Sequence, residues 1–339
     1  MKAKPAGSLP VISKILLLII PLIAVLAALA IGRFNVSPAT IIQSIFIKFG
    51  AGYKQNMQTE IVLWTIRFPR TLLALLVGAG LSVAGCAFQS LFSNPLATPD
   101  TLGVASGASF GAALGLLLGL NLIGVQILAL AAGIGAVVLT YISGNVEGKS
   151  ANTIVLAGIM IGSLFSALVS LVKYGADTES QLPAITYWLM GSLSSANYNS
   201  LLLGAPPIIL GIVILFVLRW RLNILPLPDD EAKASGTNVT LLRTLTVICA
   251  TAITASCVSM CGQVGWVGLL VPHICRMRFG SNHLSLIPAS ISIGAVFMVI
   301  VDTIARSASA SEIPVSILTA IIGAPFFITL LKHSGGWQL

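Results

Sequence analysis

Apolar residues run along this chain in long blocks, each about the length of a membrane-crossing helix, and polar residues are confined to the gaps between them. Blocks able to cross the ~30 Å of hydrocarbon in a bilayer fall at 12–32, 67–91, 101–120, 122–142, 153–172, 201–218, 240–260, 264–277, 284–304 and 313–331. The eighth block is short and broken by Pro272. The pattern predicts an all-α membrane protein, a polytopic bundle of about ten transmembrane helices. Links this short leave no room for a water-soluble unit, so residues 1–339 read as a single transmembrane domain.

Composition agrees: 56% of the 339 residues are hydrophobic, 8% are charged, and the mean hydropathy is +1.00. A soluble globule of this size cannot hide that much apolar side chain. Lys2, Lys4 and Lys14 precede the uninterrupted apolar run that starts at Ile15, and Ala28-Leu29-Ala30 resembles a signal-peptidase site. The run from Ile15 to Ile31 exceeds the usual signal-peptide core, so an uncleaved first span is predicted. The five cysteines, Cys86, Cys249, Cys257, Cys261 and Cys275, lie in apolar surroundings and read as small buried hydrophobes.

Charge then sets an orientation. With the N-terminus inside, seven of the 18 cations face outward (Arg33, Lys48, Lys54, Arg67, Arg70, Lys173 and Arg306), which leaves 11 inside. Arg67 and Arg70 stand three apart around Pro69, so they share a helical face. Singly, such arginines read as interface anchors whose stems lie along the apolar surface. Three on one side read as a docking patch for acidic side chains. The ten acids all sit at span ends or in loops, so the interior shows no ionisable group of the kind a gradient-driven carrier uses. His273, His283 and His333 have no company that would make an intramembrane enzyme, and His273 reads as a partner for backbone freed by Pro272. "GNVEGKS" at 144–150 has one residue too few between its glycines for a phosphate-binding loop. The +8 net charge is spread over both faces and suggests no nucleic acid.

Two further features concern packing and protrusion. Gly103, Gly107, Gly111, Gly115 and Gly119 recur every four residues, predicting a smooth groove against a neighbouring helix. After the sixth span, Pro228 suits a first helical turn and Asp229, Asp230 and Glu231 suit its positive end. Gly236 can end that helix, and Thr237 or Asn238 can cap the next. The segment reads as helix, turn, helix, projecting from the membrane.

With these residues in view, the chain resembles the FecCD-type permeases of ATP-binding-cassette importers for iron-siderophore, haem and cobalamin, the type II family that includes the vitamin B12 permease. The stretches "RFPRTLLALLVGAGLSVAG", "FQSLFSNPLATPDTLGVASGAS", "YWLMGSL", "DDEAKASG", "GWVGLLVPHICR" and "PVSILTAIIGAPFF" carry the resemblance in the family's order. It implies ten helices per subunit in a homodimer of permeases above two ATPase subunits, in the lipid of a bacterial or archaeal cytoplasmic membrane with both termini cytoplasmic. By the same resemblance Arg67, Arg70 and Arg306 dock an extracytoplasmic substrate-binding protein. The spacing of Asp302, four residues before Arg306, places it to hold that arginine. Asp229, Asp230, Glu231, Ala232, Ser235 and Gly236, within coupling helices at about 227–240, engage the ATPase. The fifth span and the segment before the sixth line the pathway, with a gate at Ser150, Ala151 and Asn152. The implied activity is import of a metal chelate, ferric siderophore first. The chain itself has no catalytic site and no cofactor, ATP and Mg²⁺ being bound on the partner ATPase. A gradient-driven secondary transporter is the alternative. The chain departs from the family's usual residues at Leu227-Pro228 and Ser235-Gly236, where Leu-Gly pairs are common. It departs again at Gln263, where proline is common, and at Trp266, where phenylalanine is.

Overall fold

The computed structural model describes residues 9–48, 56–144, 151–309 and 311–333, and every regular element among them is helical. In chain order these are α1 (Val11–Ala30), α2 (Pro38–Lys48), α3 (Met57–Glu60), a π-helical segment (Ile61–Arg67) and α4 (Phe68–Leu91). A 3₁₀ turn (Pro99–Leu102) leads to α5 (Val104–Leu117), α6 (Leu122–Ser143), α7 (Ala151–Gly175), α8 (Gln181–Leu189) and α9 (Tyr198–Val217). A second 3₁₀ turn (Arg221–Ile224) precedes α10 (Asp229–Ala234), α11 (Val239–Cys261), α12 (Val267–Phe279), α13 (His283–Ala308) and α14 (Val315–His333).

Each predicted block overlaps one of α1, α4, α5, α6, α7, α9, α11, α12, α13 and α14. Among the described residues seven helical stretches are long and apolar enough to cross a membrane; α5 and α12, at 14 and 13 residues, and the apolar stretch Val315–Thr329 of α14 fall short of that length. The third block was expected to be helical from 101, but its start is spent differently. Thr98 and Thr101 form a capping box around the 3₁₀ turn, and Gly103, with φ of +75°, turns the chain into α5. Pro69 lies in the first turn of α4. Helix also precedes it, running unbroken from Met57 to Leu91, so the proline sits at the seam where the π segment becomes α4. There the Phe68 N–H reaches back five residues to the Leu63 carbonyl, a wider turn that tolerates a residue lacking its own N–H.

The centre is α4. In its apolar stretch 83% of residues are buried, and in α11 78%, against 17% for α7 and 6% for α1, which therefore lie at the periphery. Small residues let the neighbours of α4 close in. A Cβ on Gly78 would stand 2.1 Å from the Gly294 carbonyl oxygen of α13, and one on Gly85 would stand 1.9 Å from that of Gly268 on α12. The glycine stripe of α5 divides its labour. A Cβ at Gly107 or Gly111 would strike Ala132 or Leu128 of α6, whereas Gly119 (φ +67°) faces open space and turns the chain out of the helix. At the far end of α11, the Ser192 N–H donates to the Cys261 carbonyl (2.8 Å) and the Val315 N–H to the Gly191 carbonyl (3.0 Å), so α8, α11 and α14 meet.

Candidate functional site

The π segment decides what the two paired arginines can reach. Helix α1 makes its last backbone bond from the Ile31 N–H to the Ala27 carbonyl, so the carbonyls that follow need other donors. Arg67 Nη1 donates to the Leu29 carbonyl (2.6 Å) and the Ala30 carbonyl (3.3 Å), Arg67 Nη2 to that of Phe34, and Arg306 Nη2 to that of Ala28. Two guanidiniums thus close the negative end of α1. Arg70, one turn on, points across to α13. Its Nε lies 2.9 and 3.1 Å from the Asp302 carboxylate oxygens and its Nη2 2.8 Å from Oδ1, while Nη1 is 3.0 Å from both oxygens of Glu312. Arg33, exposed, donates to the Ser309 carbonyl.

The arginines are therefore not headgroup anchors: Arg67 and Arg70 are 5% and 7% exposed. Asp302 was expected to hold Arg306, and its main partner is Arg70. The reason is geometric, because Arg306 sits one turn along the same helix, brings its Nε no nearer than 3.8 Å, and sends Nη2 to α1 instead. Four guanidiniums against the two carboxylates of Asp302 and Glu312 leave this end of the bundle with a surplus of positive charge.

At the opposite end the predicted helix, turn and helix are present, with Pro228 one position ahead of the first turn expected for it. Pro228 stands at the N-cap of α10, Gly236 takes the left-handed conformation (φ +72°), and the Asn238 side chain accepts from the Leu241 N–H (3.0 Å). Asp230, Glu231 and Ser235 are exposed, the Ser235 hydroxyl donating to the Ala232 carbonyl, while Ala232 is fully buried against Ile224 and Val239. The side chain of Asp229 lies outside the described residues.

Of the gate residues, Ser150 lies outside the described residues, as does the side chain of Ala151, which opens α7; Asn152 is exposed. What the sequence reading passed over is a stripe farther along α7: Ser163, Ser166 and Ser170 are exposed, each hydroxyl donating to the carbonyl four residues back. Their spacing on an otherwise apolar helix was visible in the sequence. The α8 segment is entered through Asp177, whose carboxyl, outside the spans, is held below its ordinary range by the hydroxyl and N–H of Ser180.

Deeper in, a cavity of about 180 Å³ opens among Leu81, Asp100, Thr254, Gln263 and Trp266. Asp100, read as a span-end acid, lines it, and its Oδ1 accepts from the N–H groups of Ala105 (2.9 Å) and Ser106 (3.3 Å). Gln263, one of the departures noted in the sequence, donates to the Ser109 hydroxyl (2.8 Å) and so ties the α11–α12 link to α5. Trp266, another, carries a left-handed backbone (φ +69°), a strain of about 1–3 kcal/mol, while its ring fills the notch at Gly323 of α14.

Residues 17–333 match the FecCD transport family. The molybdate import system permease protein MolB of Haemophilus influenzae is 42% identical over 317 residues, covering 92% of this chain and 94% of that one. The Fe(3+)-citrate import system permease protein YfmE of Bacillus subtilis is 33% identical over 97% of each chain. A solved structure described as an inward-facing conformation of a metal-chelate type ABC transporter is 39% identical, with a TM-score of 0.85 over 94% of this chain and 98% of that one.

Proposed function

Because the chain belongs to the FecCD transport family, and is a membrane-embedded permease of the metal-chelate ABC importers, we propose that it works as a passive gate between two partners. A loaded substrate-binding protein docks at the arginine end, two ATPase subunits bind the α10 turn of each of two permease copies, and the path between the copies alternates between outward and inward access. ATP and Mg²⁺ belong to the ATPases, the chain breaks no bond, and it has no cofactor of its own. The arginine end faces outward in a bacterial or archaeal cytoplasmic membrane, with both termini inside. The observation that carries this reading is the two-ended build, a surplus of guanidinium at one end and a projecting helix-turn-helix at the other.

Docking takes a form other than direct pairing with Arg67, Arg70 and Arg306. Those side chains form a buried positive layer, and a partner's carboxylates meet its field and the rim residue Arg33. Such a field acts chiefly on association rate. Arg33→Glu should slow binding of the loaded protein to purified permease about 10-fold at low salt, the gap closing as the Debye length shrinks. Equal rates at low salt would remove the arginine end as the docking face. The exposed serine stripe of α7 supports a wet path along that helix, with α8 at its outer mouth and the start of α7, Ser150 to Asn152, as its inner gate.

Cargo is a ferric siderophore on this reading; the 42% identity to a molybdate permease favours an oxyanion as the second. Proteoliposomes holding permease and ATPases, with the loaded binding protein outside, separate them: ATP-dependent entry of iron chelate and not of molybdate is expected. Asp100 is the observation that favours a gradient-driven carrier. Asp100→Asn keeps the oxygen that caps α5 while removing the charge, so uptake should stay within about 2-fold of wild type. Its loss, together with sensitivity to ionophores, would move the assignment to the carrier.

A further inference from the structure

The α10 turn must pass its motion into the bundle, and the contacts that hold it there are few. Ala232 packs on Ile224, the last residue of the 3₁₀ turn Arg221–Ile224, and its neighbours Leu222 and Leu225 are buried in the main core. Between Leu222 and Ile224 stands Asn223. Its Oδ1 accepts from the His283 backbone N–H (2.9 Å) and lies 2.8 Å from Nδ1 of the His283 ring, while its Nδ2 donates to Asn282 Oδ1 (3.1 Å) and to the Trp220 carbonyl (3.2 Å). The other ring nitrogen of His283 meets the buried hydroxyl of Ser90 on α4. One imidazole therefore joins three elements: the turn under α10, the first residue of α13, and the last turn of α4.

Beyond that junction α4 and α13 stay together along their length. Cys86 Sγ lies 3.2 Å from Ser290 Oγ, Gly294 abuts both Ser82 and Gly78, and Arg70 is paired with Asp302. From His283 to Asp302 the helix rises roughly 29 Å at 1.5 Å per residue. The two helices form a beam from the α10 end to the arginine end, and packed elements of this kind move as units.

We propose that Asn223 and His283 are positioning residues that latch the coupling turn to the α4–α13 beam, so that ATPase movement reaches the outer cluster through them. The latch rests on the importer reading above. It contacts neither nucleotide nor cargo; it sets how much of the ATPase stroke becomes transport.

The test uses the full permease with its ATPases and loaded binding protein in proteoliposomes, reading ATP hydrolysed per cargo imported. Asn223→Leu keeps the size and removes the hydrogen bonds. It should leave ATPase activity within about 2-fold of wild type and raise the ATP-to-cargo ratio about 10-fold, inside the usual 5- to 150-fold range of couplings between sites. Asn223→Asp retains the acceptor facing His283 and should restore a near wild-type ratio, which a general loss of packing would not. The double variant Asn223→Leu with His283→Leu should be no worse than either single change, because both break one link. An unaltered ratio in Asn223→Leu, or losses that add in the double variant, would overturn the latch. Hydrogen exchange on the wild-type complex gives the same answer without variants: nucleotide binding should change protection at 221–224 and 283–290 together, and a change confined to 229–236 would overturn it. A wild-type complex that imports nothing with ATP present would instead strike the importer reading itself.

Discussion

Asp302→Ala is expected to strip the permease of most of its stability, by about 3–5 kcal/mol, the usual penalty for removing one partner of a buried ion pair. Asp302 is 3% exposed and accepts through both oxygens from Arg70, whose side chain is 8% exposed. Without it, the guanidinium of Arg70 keeps Glu312 alone, on a segment whose backbone is already left-handed there (φ +49°), and Arg306 loses the nearby carboxylate. The thermal midpoint of detergent-purified protein measures this, along with the yield of monodisperse material. The origin of the loss is tested by removing the stranded charge as well: Asp302→Ala with Arg70→Met should recover most of the deficit, since an apolar replacement for a buried pair is often neutral. Glu312→Gln should cost far less, because that side chain is 27% exposed and water can take its place. A single variant as stable as wild type would show that Arg70 finds solvent or another partner. The same geometry makes Arg67 and Arg70 poor sites for charge reversal. Arg70→Glu would put a third carboxylate beside Asp302 and Glu312, so the permease would not stay intact and the change tests the fold before it tests docking. Arg33, exposed and near the cluster, is the residue at which charge can be reversed cleanly.

The spans were legible because each is a local quantity, a run of apolar side chains as long as a bilayer is thick. The α10 turn was legible for a like reason, since Pro228, three acids and Gly236 fix a start and a stop within nine residues. The arginines were not, although the sequence drew attention to them. Their burial depends on the C-terminal carbonyls of α1, some 38 positions away, and on a carboxylate 232 positions away, which no spacing rule connects to them. The π segment adds a register shift that an ideal helical wheel at 3.6 residues per turn does not contain. Helix α8 was missed as a helix because its nine residues are too few to make a span. The latch was invisible for the same reason as the arginine cluster. Asn223 and His283 look like a loop polar residue and a lone histidine until the fold sets them 2.8 Å apart.

That long-range placement also governs the second large effect. Gly85→Ala should destabilise the permease by about 3 kcal/mol, the upper end of ordinary overpacking penalties, for the addition of one methyl group. The new Cβ would lie 1.9 Å from the Gly268 carbonyl oxygen, 2.6 Å from its carbonyl carbon and 2.8 Å from its Cα. All three are backbone atoms, so no side chain can swing away, and α12 as a whole must retreat from α4. The retreat would stretch the bond from Gln89 Nε2 to the Gly268 carbonyl, already 3.4 Å, and disturb Arg276, which donates to Gln89. The loss should therefore appear as a lower thermal midpoint together with faster hydrogen exchange across 267–279. Gly135 on α6 supplies the opposite sign. A Cβ there meets nothing within 4 Å, so Gly135→Ala gains the helical preference of alanine over glycine, about 0.5–1 kcal/mol, with no clash to offset it. If the two substitutions shifted stability alike, the close approach of α4 and α12 would not be what holds the centre of the bundle together.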